Sequence, residues 1–198
     1  LMHYRAVGTR CAVDLTHLGM RTDRAAYLLE SVGFREVHVD LDCEARSQLG
    51  KPYKKRARLT DAPNAFDCSS LVKWLHAQKG IWIPRLAIQQ HEFGTHVDLS
   101  QVQPGDAIYT NGPVNLYTDN PAEGVGHVAF ATSAMTVIHA ASFEHGVLET
   151  PLEQFLHERT VRGVRRFFEP AVRTYEVPPT ESVEWSDDLA WIIRRVSA

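Results

Sequence analysis

Phe66-Asp67-Cys68-Ser69-Ser70-Leu71-Val72 is the stretch whose residue types and spacing could do chemistry. A cysteine stands on the first turn of a predicted helix, with Asp67 at the capping position before it. The first-turn N–H groups would place partial positive charge beside the sulfur and favour thiolate over thiol. Cys68, Leu71, Val72 and Leu75 recur at helical spacing, so the sulfur lies on the inward face. The chemistry this suggests is nucleophilic attack, which needs a base beside the thiol. Among ten histidines, context favours two. His127 follows Gly126 at the start of an alternating apolar strand, and His139 is embedded in the next one, Val137-Ile138-His139-Ala140-Ala141. On adjacent antiparallel strands the first could act as general base and the second could hold its imidazole in the right tautomer.

The elements that must position these groups follow from periodicity and punctuation. Thr22-Asp23 caps a predicted helix that Gly33 ends, and residues 36–41 alternate as a half-buried strand. A helix begins near Leu41, with Asp42 as its cap, and is stopped by Gly50 and Pro52. Residues 54–65 read as a loop, the Cys68 helix runs to about Gln78, and a further helix covers 85–93. Strands are predicted at 106–109, 127–132, 136–141, 146–149 and 161–168, with a short helix at 151–157. Residues 111–126 form a long loop. A helical first half followed by closely spaced strands gives an α+β domain with an antiparallel sheet. Residues 1–21 carry no clear period. Residues 169–181 read as a proline-containing linker, and 187–196 as an amphipathic helix. Its Leu189, Trp191, Ile192, Ile193 and Val196 need an apolar surface, expected on the same domain, with a dimer as the alternative.

Gly50-Lys51-Pro52-Tyr53, Phe66-Asp67-Cys68-Ser69, Ile83-Pro84-Arg85, Gln103-Pro104-Gly105-Asp106, Gly126-His127-Val128 and Ile138-His139-Ala140 occur in one order. That order and spacing resemble the NlpC/P60 family of cysteine peptidases. The resemblance implies a papain-like fold, with the nucleophile helix packed on the sheet, and a catalytic domain over residues 41–168. Residues 1–40 would be an N-terminal extension packed on it, and 169–198 a linker and helix. It implies cleavage of an amide bond in bacterial cell-wall peptides through a thioester, with Cys68 as nucleophile, His127 as base and His139 as orienting residue. Tyr53, Asp67 and Ser69 would then lie around the substrate and oxyanion. Two stretches depart from the family pattern. Lys54-Lys55-Arg56-Ala57-Arg58 stands where Trp-Gly-Gly is usual, and Ser70 replaces a glycine after Asp-Cys-Ser. Glycine lets backbone approach a ligand closely, so these departures point to a differently shaped entrance and to the place where substrate is selected. The 111–126 loop would be a lid or a specificity wall.

Bulk properties limit the alternatives. With 198 residues, 23% charged residues and a formal net charge of −3, the chain has no broad electrostatic footprint for nucleic acid. Its one basic cluster, 51–58, is a solvated loop or a local contact for an anionic ligand. Three cysteines without CxxC spacing argue against a disulfide framework or zinc knuckle, and no cofactor or metal is expected. His91, His96, His145 and His157 are taken as surface residues, and Cys11 and Cys43 as structural or incidental. No apolar run reaches a membrane span, no signal-peptide core is seen, and Leu1 before Met2 suggests Met2 as the natural start. The expected compartment is therefore the cytoplasm, with delivery to the wall by another route as the alternative. The expected partner is a peptide or muropeptide substrate, and oligomeric state is open. Two other functions remain: a papain-like acyltransferase or amidase on another substrate, and a catalytically inactive binding or assembly module.

Overall fold

The computed structural model describes residues 3–197, so the expectation for Leu1 and Met2 lies outside the described residues. In chain order the first elements are β1 (Arg10–Val13), α1 (Thr22–Ser31), β2 (Arg35–Val37), α2 (Leu41–Arg46), α3 (Cys68–Gln78) and α4 (Ala87–Phe93). There follow β3 (Thr95–Val97), β4 (Ala107–Thr110), β5 (His127–Ala131), β6 (Thr136–Ser142), β7 (Gly146–Pro151) and α5 (Leu152–Glu158). The last are β8 (Val161–Arg166), β9 (Arg173–Glu176) and α6 (Ser186–Ser197).

The chain divides into two compact units. One comprises residues 1–39, 76–82 and 168–198, and the other residues 40–75 and 83–167. In the first, β9 runs between β1 and β2 in an antiparallel three-stranded sheet. Residues 173–176, read from sequence within a linker, are thus its central strand; the prolines that suggested a linker fall outside it, at 170, 178 and 179. Leu189, Ile192 and Ile193 of α6 are buried with Ala25, Leu28 and Leu29 of α1, and with Cys11 and Tyr175. Transferring such apolar surface from water is the main source of this unit's stability, on the order of 2 kcal/mol per fully buried aliphatic side chain. Trp191 stays 66% exposed, with Arg194 stacked over its ring.

The second unit carries a six-stranded antiparallel sheet in the order β3-β8-β4-β5-β6-β7. Strand β3 was not anticipated; at three residues it is too short to show alternation. Asp106 is buried at the entry to β4, where it accepts hydrogen bonds from the Gln103 N–H and from Arg166 at 2.8 Å each. The Gln103-Pro104-Gly105-Asp106 motif is therefore a structural corner. Helix α2 is capped by Asp40, whose carboxylate accepts from the Cys43 N–H at 3.1 Å, two residues earlier than expected. Helix α1 likewise begins at Thr22 with no side-chain cap. Leu71, Val72 and Leu75 of α3 are fully buried, as their spacing requires.

Candidate active site

Asp67 and Ser70 build the start of α3 together. The Asp67 carboxylate accepts from the Ser70 N–H at 2.8 Å, and the Asp67 N–H donates to the Ser70 hydroxyl at 2.9 Å. This is a capping box with serine in the returning position. Ser70 is buried and turned toward the cap, not toward the entrance. The other Asp67 oxygen takes Arg85 in an ion pair at 2.5 Å, and Arg85 also donates to the Ser69 hydroxyl at 2.9 Å and to the Ala57 carbonyl. Buried Gln90 donates to the Ser69 and Pro84 carbonyls, both at 2.9 Å. The first turn is thereby held from three sides.

Cys68 is partly exposed at the cleft and otherwise enclosed, with the N–H groups of Val128 and Ser69 directed at its sulfur. Burial pushes the thiol up to about 11, and the Asp67 charge adds to this. The two N–H groups and Arg85 oppose the shift but do not overcome it. The first-turn polarity acts in the expected direction, toward thiolate, and desolvation of the charged form acts against it.

His127 and His139 are both buried, and His127 Nε2 lies 2.9 Å from His139 Nδ1. The β5–β6 register pairs Phe130 with Ile138 and Ala131 with Val137. Continued one step, it makes the two histidines diagonal neighbours on one face, across small Ala129. His139 Nε2 lies 3.2 Å from the Thr150 hydroxyl on β7, and Phe155 of α5 covers both rings. Burial holds the His127 imidazole well below the usual histidine range, with the His139 and Arg159 charges acting in the same direction. Burial and Arg159 bring His139 down to about 4. Neither Thr150 nor Arg159 was singled out in the sequence. Thr150 shares the inward face of β7 by simple alternation, whereas Arg159 follows a helix end and carried no signal.

Tyr53 lies at the cleft, bridged through its backbone to Phe66, with its ring edge-on to exposed Phe143 at 5.0 Å. Burial, then the Cys68 and Asp67 charges, raise its phenol. The cleft, about 680 Å³, is lined by Tyr53, Asp67, Cys68 and Ser69, by the 55–59 segment, and by Leu86, Ile88, Val114 and Leu116. The 111–126 loop thus contributes an apolar wall. It is held by a Leu116–Val125 bridge and by Thr118 donating to Glu92 at 2.7 Å. A Cβ on Gly126, just before His127, would lie 2.4 Å from the Val114 carbonyl oxygen, so the wall's close approach requires glycine there. His91 is part-buried against β8, with Nε2 3.1 Å from the Arg162 carbonyl, and is not the surface residue expected. Among the described residues no group of three His, Cys, Asp or Glu could hold a metal ion, and no helix is long and apolar enough to cross a membrane.

A probable endopeptidase of Corynebacterium glutamicum is 36% identical over 118 residues, 60% of this chain and 50% of that protein. A gamma-DL-glutamyl hydrolase of Bacillus subtilis is 29% identical over 125 residues, 63% of this chain and 28% of that protein. The chain thus spans half or less of the length of these curated relatives. In fold it is similar to the peptidoglycan hydrolase RipB of Mycobacterium tuberculosis, with a TM-score of 0.51 and 24% identity, over 76% of this chain and 69% of that one. The architecture is the expected papain-like α+β arrangement. Residues 50–166 match the NlpC/P60 family model, and the chain belongs to the NlpC/P60 family.

Proposed function

We propose that this chain is a cysteine endopeptidase that hydrolyses an amide bond in peptidoglycan-type peptides, with Cys68 as nucleophile, His127 as base and His139 as orienting residue. The observation that carries the reading is the 2.9 Å His127–His139 contact, anchored by Thr150, on a strand whose next residue, Val128, directs its N–H at the sulfur of Cys68 in the cleft. The endopeptidase and glutamyl hydrolase relatives support the substrate class.

The hydrogen-bond chain supports one working tautomer. If His139 donates its Nε2–H to Thr150, its Nδ1 accepts the His127 Nε2–H, and His127 Nδ1 keeps a lone pair. That nitrogen takes the Cys68 proton as substrate arrives, and sulfur attacks the amide carbonyl. The oxyanion is met by the Cys68 N–H and the Tyr53 hydroxyl, groups with no other partner among the described residues. His127 returns its proton to the leaving amine as the C–N bond breaks. It then deprotonates the water that attacks the thioester and passes that proton to the departing sulfur, so the C–S bond breaks to give the thiol and a carboxylic acid that ionises to solvent.

The test is digestion of a muropeptide library by the native chain and by Cys68→Ala, read by mass spectrometry. Cleavage by the native chain with loss of at least a thousand-fold in the variant is expected. Intact peptides with the native chain, or equal cleavage by both, would overturn the proposal.

A further inference from the structure

Helix α4, β3, β8 and the outer side of the 111–126 loop line a second cavity, of about 350 Å³, which shares only Ile88 with the lining of the Cys68 cleft. Its cationic centre is Arg165, a part-buried guanidinium held by neutral acceptors. Nε donates to the His91 carbonyl at 2.5 Å, and Nη1 to the Val164 carbonyl at 2.9 Å and to His96 Nδ1 at 3.1 Å. Arg165 forms no ion pair among the described residues, and burial pushes its guanidinium down.

One nitrogen in this network is claimed twice. His91 Nε2 stands 3.1 Å from the Arg162 carbonyl, which calls for a donor, and 3.0 Å from Arg165 Nη2, which calls for an acceptor. A neutral imidazole nitrogen is one or the other, so one of the two contacts goes unmade. Burial and the Arg165 charge disfavour the imidazolium, which would not serve Arg165 in any case. An anion that accepts from Nη2 would release His91 Nε2–H to the carbonyl and complete both contacts. Room for the pair is built into β8: a Cβ on Gly163 would lie 2.8 Å from His91 Nε2 and 2.9 Å from Arg165 Nη1 and would displace them.

The rim supplied by the loop has the opposite sign, from Asp119 and Glu123, and Thr118 joins Glu92 of α4 to it at 2.7 Å. The Asp119 side chain forms no hydrogen bond or ion pair among the described residues. An anion alone would face these carboxylates as like charges, and a cation alone would leave Arg165 unmatched. A small molecule that carries both charges meets both demands.

We propose that this cavity is a second ligand site, for a free α-amino acid whose carboxylate accepts from Arg165 Nη2 and whose ammonium lies at Asp119 and Glu123. The site stands independently of the endopeptidase reading. A ligand bound there ties the loop to β8, and Val114 and Leu116 of the same loop wall the Cys68 cleft.

Calorimetry on the full chain tests this, with glycine and both enantiomers of alanine as probes so that no handedness is assumed. Saturable binding at concentrations below about 10 mM is expected for at least one of them. Its carboxamide, its N-acetyl form and inorganic phosphate should each bind at least about ten-fold more weakly, because each lacks one of the two charges. Arg165→Gln should abolish binding. Arg165 also holds two backbone carbonyls, so Asp119→Asn supplies a variant with no such contact to lose: it should weaken binding about three-fold at an unchanged melting temperature. In hydrogen exchange the amino acid should slow the amides of residues 117–123 and leave those of 55–59 in the catalytic cleft unchanged. Absence of binding by all three probes, affinity undiminished in Asp119→Asn, or phosphate or the N-acetyl form binding as tightly as the amino acid would overturn the proposal. Protection confined to 55–59 would overturn it too, by placing the ligand in the cleft.

Discussion

A thiol and an imidazole side by side rest either as an ion pair or as a neutral pair, and environment selects between them. At Cys68 desolvation raises the thiol to about 11, while burial lowers His127 and brings His139 to about 4. Each shift favours the neutral form, thiol and imidazole, and so puts proton transfer within the proposed reaction rather than before it. This has a direct readout. Alkylating reagents consume thiolate, so the rate of Cys68 modification by iodoacetamide should climb about ten-fold per pH unit between pH 6 and 9. A rate already at its plateau at pH 6 would show a preformed ion pair and reverse the assignment. Arg159 shapes the balance from the other side: its charge disfavours an imidazolium on either histidine and favours a thiolate on Cys68.

Helix α3 is the element on which the candidate site depends, and its cap separates two explanations of one sequence departure. From sequence, Ser70 looked like a change at the substrate entrance; in the fold its hydroxyl and N–H are both engaged with Asp67. Ser70→Gly should therefore cost stability, about 1 kcal/mol or about 3 °C in melting temperature for 198 residues. The relative rates on different muropeptides should stay unchanged. A shift in substrate preference with no loss of stability would return Ser70 to the entrance. The strong periodic elements were legible in advance: the apolar face of α3, the alternation of β5 and β6, and the glycine stop after α1 each need only local information. Asp40 as the cap of α2 was not, because Asp40 and Asp42 are equally good capping residues and tertiary context chose between them. Strand β9 was hidden for a different reason. Its four residues gain their identity from two distant partners, β1 and β2, which a single stretch of sequence cannot display. Thr150 and Arg159 were missed because their importance lies in what stands across the sheet or beyond a helix end from them.

For the molecule as a whole, burying two neutral histidines ties folding to pH with a definite sign. In the unfolded chain a histidine takes up its proton near pH 6.5; in the folded chain His139 does so only near 4, and His127 is shifted the same way. Between these limits the unfolded state binds more protons, so stability rises with pH. The contribution is complete above about pH 6.5 and is lost progressively as pH falls toward 4. His139 alone accounts for roughly 3 kcal/mol of loss over that interval, a substantial share of the 5–15 kcal/mol typical of a folded domain. Urea unfolding at pH 7.5, 6.0 and 5.0 should show the denaturation midpoint falling at each step, with the slope of free energy against urea unchanged. His139→Gln removes one titrating group, so its midpoint should depend less steeply on pH over the same range, whatever its absolute stability. A native midpoint that is flat from pH 7.5 to 5.0 would mean that the histidine pair is protonated in the folded protein. Its tautomer chain from His127 to Thr150 would then be wrong as well.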